Sequence, residues 1–343
     1  MRTPTFILIM TAVAAALYAA FHSIGNDYLF FAGYTVLQYI VLATAWNILG
    51  GYCGYVNFGS AGFFAIGVYT TVFFYAVGQS VEEVFPEFLV APMQLIFPLP
   101  LPLLMVLGGI VSGLVGLGMG YLTLRLRGVF FAIATLALAV VLETFITNWS
   151  FVGGSRGAYV IPPNEIPFFG PYIDFLFALM LVLVVASLTI ARTIERSKLG
   201  VGFATIRDDE LAAEATGVPT LKLKLIATVL SGALFGMAGA PFPYYIGYVE
   251  PGSAFNLSYA VNAIAMPMIG GTTFWAGPMI GALLLSTVQQ VVTVTISSAV
   301  NLLITGLLLI AFVILAPNGI VGLWQTWIGN PLKKRRAGKE VKP

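Results

Sequence analysis

Apolar runs alternate with short polar punctuation along almost the whole chain. A helix that crosses a bilayer needs about 20 predominantly apolar residues. Ten runs come near that length: 5–21, 30–49, 61–78, 103–124, 129–148, 172–190, 225–242, 257–273, 277–296 and 300–315. The pattern predicts an all-α polytopic transmembrane helical bundle of about 10 spans. The eighth and tenth runs are short, and the glycine-rich break at 52–60 has the composition of a re-entrant segment, so 8–11 spans fit the pattern. Arg2 followed by an apolar run has the outline of a signal peptide, but no small-residue cleavage site follows, and the run reads as an uncleaved first helix. Segments 81–102 and 149–170, with acidic residues, prolines and aromatics, read as connecting loops. The fourth run carries Gly108, Gly109, Gly113, Gly116, Gly118 and Gly120, a density that lets helix backbones approach closely in lipid.

One interruption departs from this pattern. Residues 192–224 hold 11 of the chain's 30 charged side chains. Within it, 203–216 reads as one short helix of about 21 Å at 1.5 Å per residue. Gly200 and Gly202 loosen its entry, Gly217 suits a left-handed stop, and Pro219 prevents continuation. Phe203, Ile206, Leu211, Ala212 and Ala215 supply apolar or small contact surface, while Arg207, Asp208, Asp209, Glu210 and Glu214 supply charge. Charge pattern alone leaves two readings open: a solvated loop helix, or a bar lying on the membrane face that fits a groove on a soluble partner.

Composition narrows the class. At 59% hydrophobic and 9% charged residues, with mean hydropathy +0.95, the chain reads as a polytopic membrane protein with no stretch left for a separate soluble domain. One cysteine, Cys53, permits no internal disulfide, and one histidine, His22, has no companions at metal-ligand spacing. The only Gly-Lys pair, Gly338-Lys339, has Lys333 where a phosphate-binding loop needs glycine, so no nucleotide is expected on this chain. No nucleophile, base and orienter come together around the single histidine, and no enzymatic activity or nucleic-acid partner is expected. A carboxylate at the centre of a membrane helix costs roughly 2.5–3.5 kcal/mol on insertion scales. Glu143 is the one acidic residue well inside a run, toward its outer third, and Asp174 stands at a run's end. Neither is placed like a midplane proton relay, which disfavours a stand-alone ion-coupled carrier. With the N-terminus in the cytoplasm and ten spans, both termini are cytoplasmic and 15 of the 16 Lys and Arg residues fall inside, with Arg156 alone outside.

Several stretches then carry a resemblance: FGSAGFFAIGVYTT (58–71), RLRGVFFAIATLALAVVLE (125–143), ATIRDDELAAEATGV (204–218) followed by KLKL, GGTTFWAGPMIGALLL (270–285) and LAPNGIVGL (315–323). Over about 35–325 the chain resembles the branched-chain amino acid ABC importer permeases, more the LivM-type subunit than its LivH-type sister. The resemblance implies a permease core at 30–325 preceded by a first helix and outer connection at 1–29, a cytoplasmic coupling loop at 192–224 and a basic cytoplasmic tail at 326–343. It implies an inner-membrane complex with a second, LivH-type permease, two ATPase subunits that carry ATP and Mg, and a periplasmic substrate-binding protein. Arg207, Asp208, Asp209, Glu210, Ala212, Ala213, Glu214 and Gly217 match the segment that couples permease to ATPase. Thr216 stands where a larger apolar residue is expected, and Gly200-Val201-Gly202 replaces a more basic lead-in.

A zwitterionic cargo needs donors for its carboxylate and acceptors for its ammonium. Backbone exposed at glycine-rich breaks supplies these where it lines a cavity. Tyr55, Asn57, Phe58, Gly59, Ser60 and Gly62 are therefore candidates for the substrate path, with helix packing as their alternative role, and Glu143 with Asn148 for its outer mouth. Gln289 and Gln290 are candidate interface residues. Branched-chain or other neutral amino acids are the expected cargo, with urea or short amides as the alternative within the same class.

Overall fold

The computed structural model describes residues 3–163, 165–166 and 170–295, with 303, 306–307, 310 and 319–322. Helices α1 (Thr3–Ile24) and α2 (Asp27–Leu49) form the first hairpin. A break at 50–59 leads to α3 (Ser60–Gln79), the short α4 (Val81–Val84) and α5 (Glu87–Ile96), then α6 (Leu101–Thr123), α7 (Val129–Thr147) and α8 (Tyr172–Glu195). The polar interruption forms α9 (Lys198–Asp208) and α10 (Glu210–Ala215). Then come α11 (Thr220–Gly239), α12 (Phe242–Ile246), α13 (Pro251–Ala254), α14 (Leu257–Gly270) and α15 (Gly277–Thr295). Two two-residue antiparallel ladders tie loops together: β1 (Ala158–Tyr159) with β4 (Tyr248–Val249), and β2 (Glu165–Ile166) with β3 (Gly170–Pro171).

Among the described residues, eight helices are long and apolar enough to cross a membrane: α1, α2, α3, α6, α7, α8, α11 continued through α12, and α15. The all-α polytopic bundle is as expected. The ten-span reading changes at its eighth run, which forms a 14-residue helix rather than a full crossing. At 1.5 Å per residue α14 is about 21 Å long, against a hydrocarbon core of about 30 Å. Tyr259, in its first turn, lies beside Tyr39, halfway along α2, and Asn262 Nδ2 donates to the Tyr39 hydroxyl at 3.4 Å. So α14 begins at mid-height of the bundle. The expected tenth span, 300–315, and the tail, 326–343, lie almost wholly outside the described residues.

The core is centred on α2, in which every residue from Ile40 to Leu49 is buried among α8, α11, α14 and α15. In contrast α1 fully buries only Phe6; Met10, Ala14, Tyr18 and Phe21 rest half-buried on the core, and its other face presents apolar side chains outward. Three helices, α3, α6 and α11, pack backbone to backbone. A Cβ on Gly67 would collide with the Gly236 carbonyl, and one on Gly236 with the Gly108 carbonyl. Polar side chains stitch the same helices: Ser112 Oγ donates to Phe63 O at 2.9 Å and Thr71 Oγ1 to Ala240 O at 2.7 Å. Of the glycines in α6, Gly108, Gly109, Gly113, Gly116 and Gly120 face neighbouring helices, whereas Gly118 faces open space.

The loops sort to two ends. The 50–59 break, the α6–α7 turn with Arg125 and Arg127, the α9–α10 segment and the α14–α15 turn share one end, linked by Arg127 to Glu214, Asn47 Nδ2 to Thr272 O and Trp275 N to Glu195 Oε2. Arg156, the β1–β4 ladder and the His22–Asp174 pair are at the other. The basic end therefore gathers the cationic loops that the charge pattern groups on one side.

Candidate functional site

The polar interruption is an elbow, not the single helix expected over 203–216. Ser197 Oγ accepts from Leu199 N (3.2 Å) and Gly200 N (3.4 Å), so α9 starts at Lys198 and Gly200 and Gly202 lie inside it. The helix then breaks at Asp209, which is extended (φ −160°, ψ 107°) and accepts from Ala212 N at 3.1 Å to cap α10. Asp competes with helical backbone by bonding a nearby N–H, and here that local bond wins. Gly217, at φ +85°, ends α10 in the left-handed conformation as expected.

The elbow's charges divide between inside and outside. Glu210 turns into the protein, with its side chain 12% exposed. Its carboxylate accepts from Lys224 Nζ at 2.6 Å and from the Tyr55 hydroxyl, and Arg127 Nε stands 3.6 Å away. Lys224, 3% exposed, also donates to Leu124 O (3.0 Å) and to the Tyr55 hydroxyl (3.1 Å), so all three of its protons have acceptors. Arg127 Nη2 bonds both oxygens of Glu214, at 3.1 and 3.2 Å, and Thr220 Oγ1 donates to Glu214 Oε1 at 2.9 Å. Phe203, Ile206 and Ala213 are buried against the bundle. Asp208, Asp209, Leu211, Ala212 and Ala215 remain outward, with Leu211 64% exposed, whereas Arg207 lies against the 50–59 break, its Nη1 donating to Gly51 O at 3.5 Å while it pairs with Asp208 at 3.3 Å.

Glu210 and Ala213, expected on a partner-facing surface, thus face their own chain, and Glu214 is shared between Arg127 and solvent. The signal was available in Lys224. A lysine one turn inside an apolar helix needs an acid, because a buried unpaired ammonium is too costly to keep.

A second knot fixes the base of the elbow. Arg192, in the last turn of α8, lies with its guanidinium 4.1 Å from the Phe6 ring and 6.0 Å from that of Trp275. The Trp275 amide donates to Glu195 at 2.8 Å. The start of α1 and the α14–α15 turn are thereby held where the elbow leaves the bundle.

The substrate-path candidates separate into two groups. Asn57 Oδ1 accepts from Gly59 N at 2.8 Å, and its carbonyl accepts from Trp46 Nε1 at 3.1 Å. Ser60 is buried, a Cβ on Gly59 would strike the Thr135 carbonyl, and Gly62 faces Ala139. Tyr55 belongs to the Glu210–Lys224 knot. These residues shape and seat the break. Phe58 and Glu143 instead line a common cleft of about 370 Å³, together with Leu136, Val140, Phe255 and Asn256. Asn148 is not part of it: its amide donates to Thr144 O at 2.7 Å on a separate groove of α7. Gln289 Nε2 donates to Asn262 Oδ1 at 3.1 Å, and Gln290 lines an apolar groove between α1, α2 and α15. Asn256, missing from the sequence-based candidates, stands directly before an apolar run, which is a helix-start signal.

A bundle of apolar helices with one polar elbow clamped to its basic end, and a cleft between broken helices, defines a multi-pass membrane protein. The family model for the branched-chain amino acid transport system permease component matches residues 28–313, and the chain belongs to that family of ABC transporter permeases. It is 28% identical over 311 residues to the high-affinity branched-chain amino acid transport system permease protein LivM of Salmonella typhimurium, covering 82% of this chain and 67% of that one. The LivM protein of Escherichia coli is 27% identical over the same shares. A probable branched-chain amino acid transport permease protein LivH of Methanocaldococcus jannaschii is 26% identical over 66% of this chain and 74% of its own. No solved structure matches the chain.

Proposed function

We propose that this chain is the LivM-type half of an ATP-driven importer of branched-chain or other neutral amino acids in the cytoplasmic membrane. The basic end faces the cytoplasm, following the positive-inside bias. Two ATPase subunits, carrying ATP and Mg, dock below the permease pair, one of them on the outward face of this elbow, where Asp208, Asp209, Leu211 and Ala212 combine charge, one large apolar side chain and a small one. A LivH-type subunit completes the conduit, and a periplasmic binding protein delivers cargo at the opposite end. A cleft holding a carboxylate and interrupted backbone is not stable against lipid, so the second permease is the cover that the cleft side of α7 requires.

The observation that carries this reading is the knot of Glu210, Lys224, Tyr55 and Arg127. It joins the elbow to the 50–59 break, the α6–α7 turn and the start of α11. A push on α9–α10 would move these parts together, which is what alternating access driven from outside the membrane needs. The test is Asp208→Arg with Leu211→Asp, both outward and outside the knot. The expected outcome is a normally folded permease pair that no longer co-purifies with its ATPase subunits and takes up no amino acid on ATP. Unchanged association and uptake would overturn the docking assignment.

A further inference from the structure

Two interruptions of regular helix meet inside the membrane region. The 50–59 break enters from the basic end, and Gly59 stands against Thr135, seven residues along α7. The α13–α14 corner enters from the opposite end and starts α14 at mid-height. The cleft lies between them, with Phe58 from one break, Phe255 and Asn256 from the other, and α7 as its wall. Glu143 stands on that wall with no ion pair or side-chain hydrogen bond among the described residues. Asn256 caps α14 by accepting from Ser258 N at 2.9 Å, which fixes its amide and leaves Nδ2 as a donor. Nearby, the Tyr69 hydroxyl is buried without a hydrogen-bond partner among the described residues, its ring stacked on that of Phe255.

We infer that this cleft is the half-site by which the subunit recognises the zwitterionic head of an α-amino acid: Glu143 takes the ammonium, Asn256 and the positive end of α14 take the carboxylate, and Leu136, Val140, Phe255 and Leu257 take an apolar side chain. The inference rests on the importer reading and adds the place and polarity of binding. An ionisable residue inside a membrane helix is retained chiefly for function. A broken helix that begins at the midplane presents its dipole to an anionic group there. The cleft's volume of about 370 Å³ is at the small end of the range for small-molecule sites. One carboxylate and one helix start make a shallow site, as a conduit that must release its cargo requires.

The test uses the intact complex in membrane vesicles. Cys53, the only cysteine, is replaced by serine, and Val140→Cys places a thiol on the cleft wall. Maleimide labelling is followed with L-leucine, with 4-methylpentanoate, which lacks the ammonium, and with 3-methylbutylamine, which lacks the carboxylate. Leucine is expected to slow labelling several-fold and the two analogues to leave it unchanged. Glu143→Gln is expected to abolish protection by leucine while the complex still assembles and hydrolyses ATP. Equal protection by all three probes, or protection surviving Glu143→Gln, overturns the inference. The three-probe comparison stands without the Glu143 variant should that variant fail to insert. ATP-driven leucine uptake, measured on the same vesicles, separates the two readings. Uptake without protection sinks the cleft alone, and protection without ATP-driven uptake sinks the importer reading.

Discussion

Lys224 Nζ lies 2.6 Å from Glu210 Oε1, joining the second turn of α11 to the first residue of α10, with the lysine side chain 3% and the glutamate 12% exposed. Removing one partner of such a pair leaves the other charge buried and uncompensated, a cost of about 3–5 kcal/mol, while replacing both by apolar residues of similar size is often neutral. Glu210→Ala and Lys224→Ala should each lower the thermal midpoint of the purified permease markedly. Glu210→Leu combined with Lys224→Met should recover most of the loss. A double variant as unstable as the sum of the singles would show that the two residues act independently.

The same pair sets a pH dependence. Burial pushes the Glu210 carboxyl up, but hydrogen bonds from Lys224 and Tyr55, with the charges of Lys224 and Arg127, outweigh it, and the net direction is below the ordinary 4.5. A carboxyl whose folded value is depressed contributes stability above its unfolded value and loses it as pH falls through the folded one. The thermal midpoint of the unsubstituted protein should therefore exceed that of Glu210→Gln by a constant margin above pH 4.5. That margin should close as the pH is lowered further. A margin that widens on acidification would contradict the ionised assignment.

Cys53 offers a native reporter of elbow movement. It is 1% exposed, burial pushes its thiol up to about 12, and it lines a cavity of about 530 Å³ with Tyr55, Arg127 and Glu210. A thiol in that state is a poor nucleophile at neutral pH. It should resist maleimide in the resting complex and react measurably faster during ATP turnover or in Glu210→Ala. Equal reactivity in all three states would mean that the elbow and the 50–59 break do not move together.

Much of this architecture is legible in the chain, for physical reasons. Eight of the crossings follow from hydropathy because lipid demands long apolar helices. The polar elbow stands out because charge is rare elsewhere, and Gly217 marks its end because a left-handed residue is needed there. What stays hidden depends on competition or distance. The corner at Asp209 turns on one side-chain bond to Ala212 outbidding helical continuity. The inward turn of Glu210 depends on Tyr55, 155 residues away, and on Lys224, one turn into a different helix. A half-length α14 has nearly the hydropathy of a short full crossing, so only its position beside Tyr39 reveals that it starts at mid-height. Asn57 and Gly59 read as plausible path residues because turn chemistry and path chemistry use the same residue types.

Helix packing gives a contrast within one helix type. A side chain at Gly67 or Gly236 would meet backbone of the facing helix, which cannot swing aside, whereas Gly118 faces open space. Overpacking typically costs about 1–3 kcal/mol, and more where backbone must shift. Gly67→Val and Gly236→Val should sharply reduce the yield of folded protein, and Gly118→Val should leave yield and thermal midpoint within error. Tolerance of all three would mean that α3, α6 and α11 do not meet as closely as described.

The most direct measurement is labelled leucine uptake into proteoliposomes of defined content. The complete set of this chain, its partner permease, the ATPase subunits and the binding protein should concentrate leucine only with Mg-ATP present. The permease pair alone should not concentrate it under any ion gradient. Uphill uptake by the permease pair without nucleotide would contradict the view that this chain is a conduit driven through its elbow.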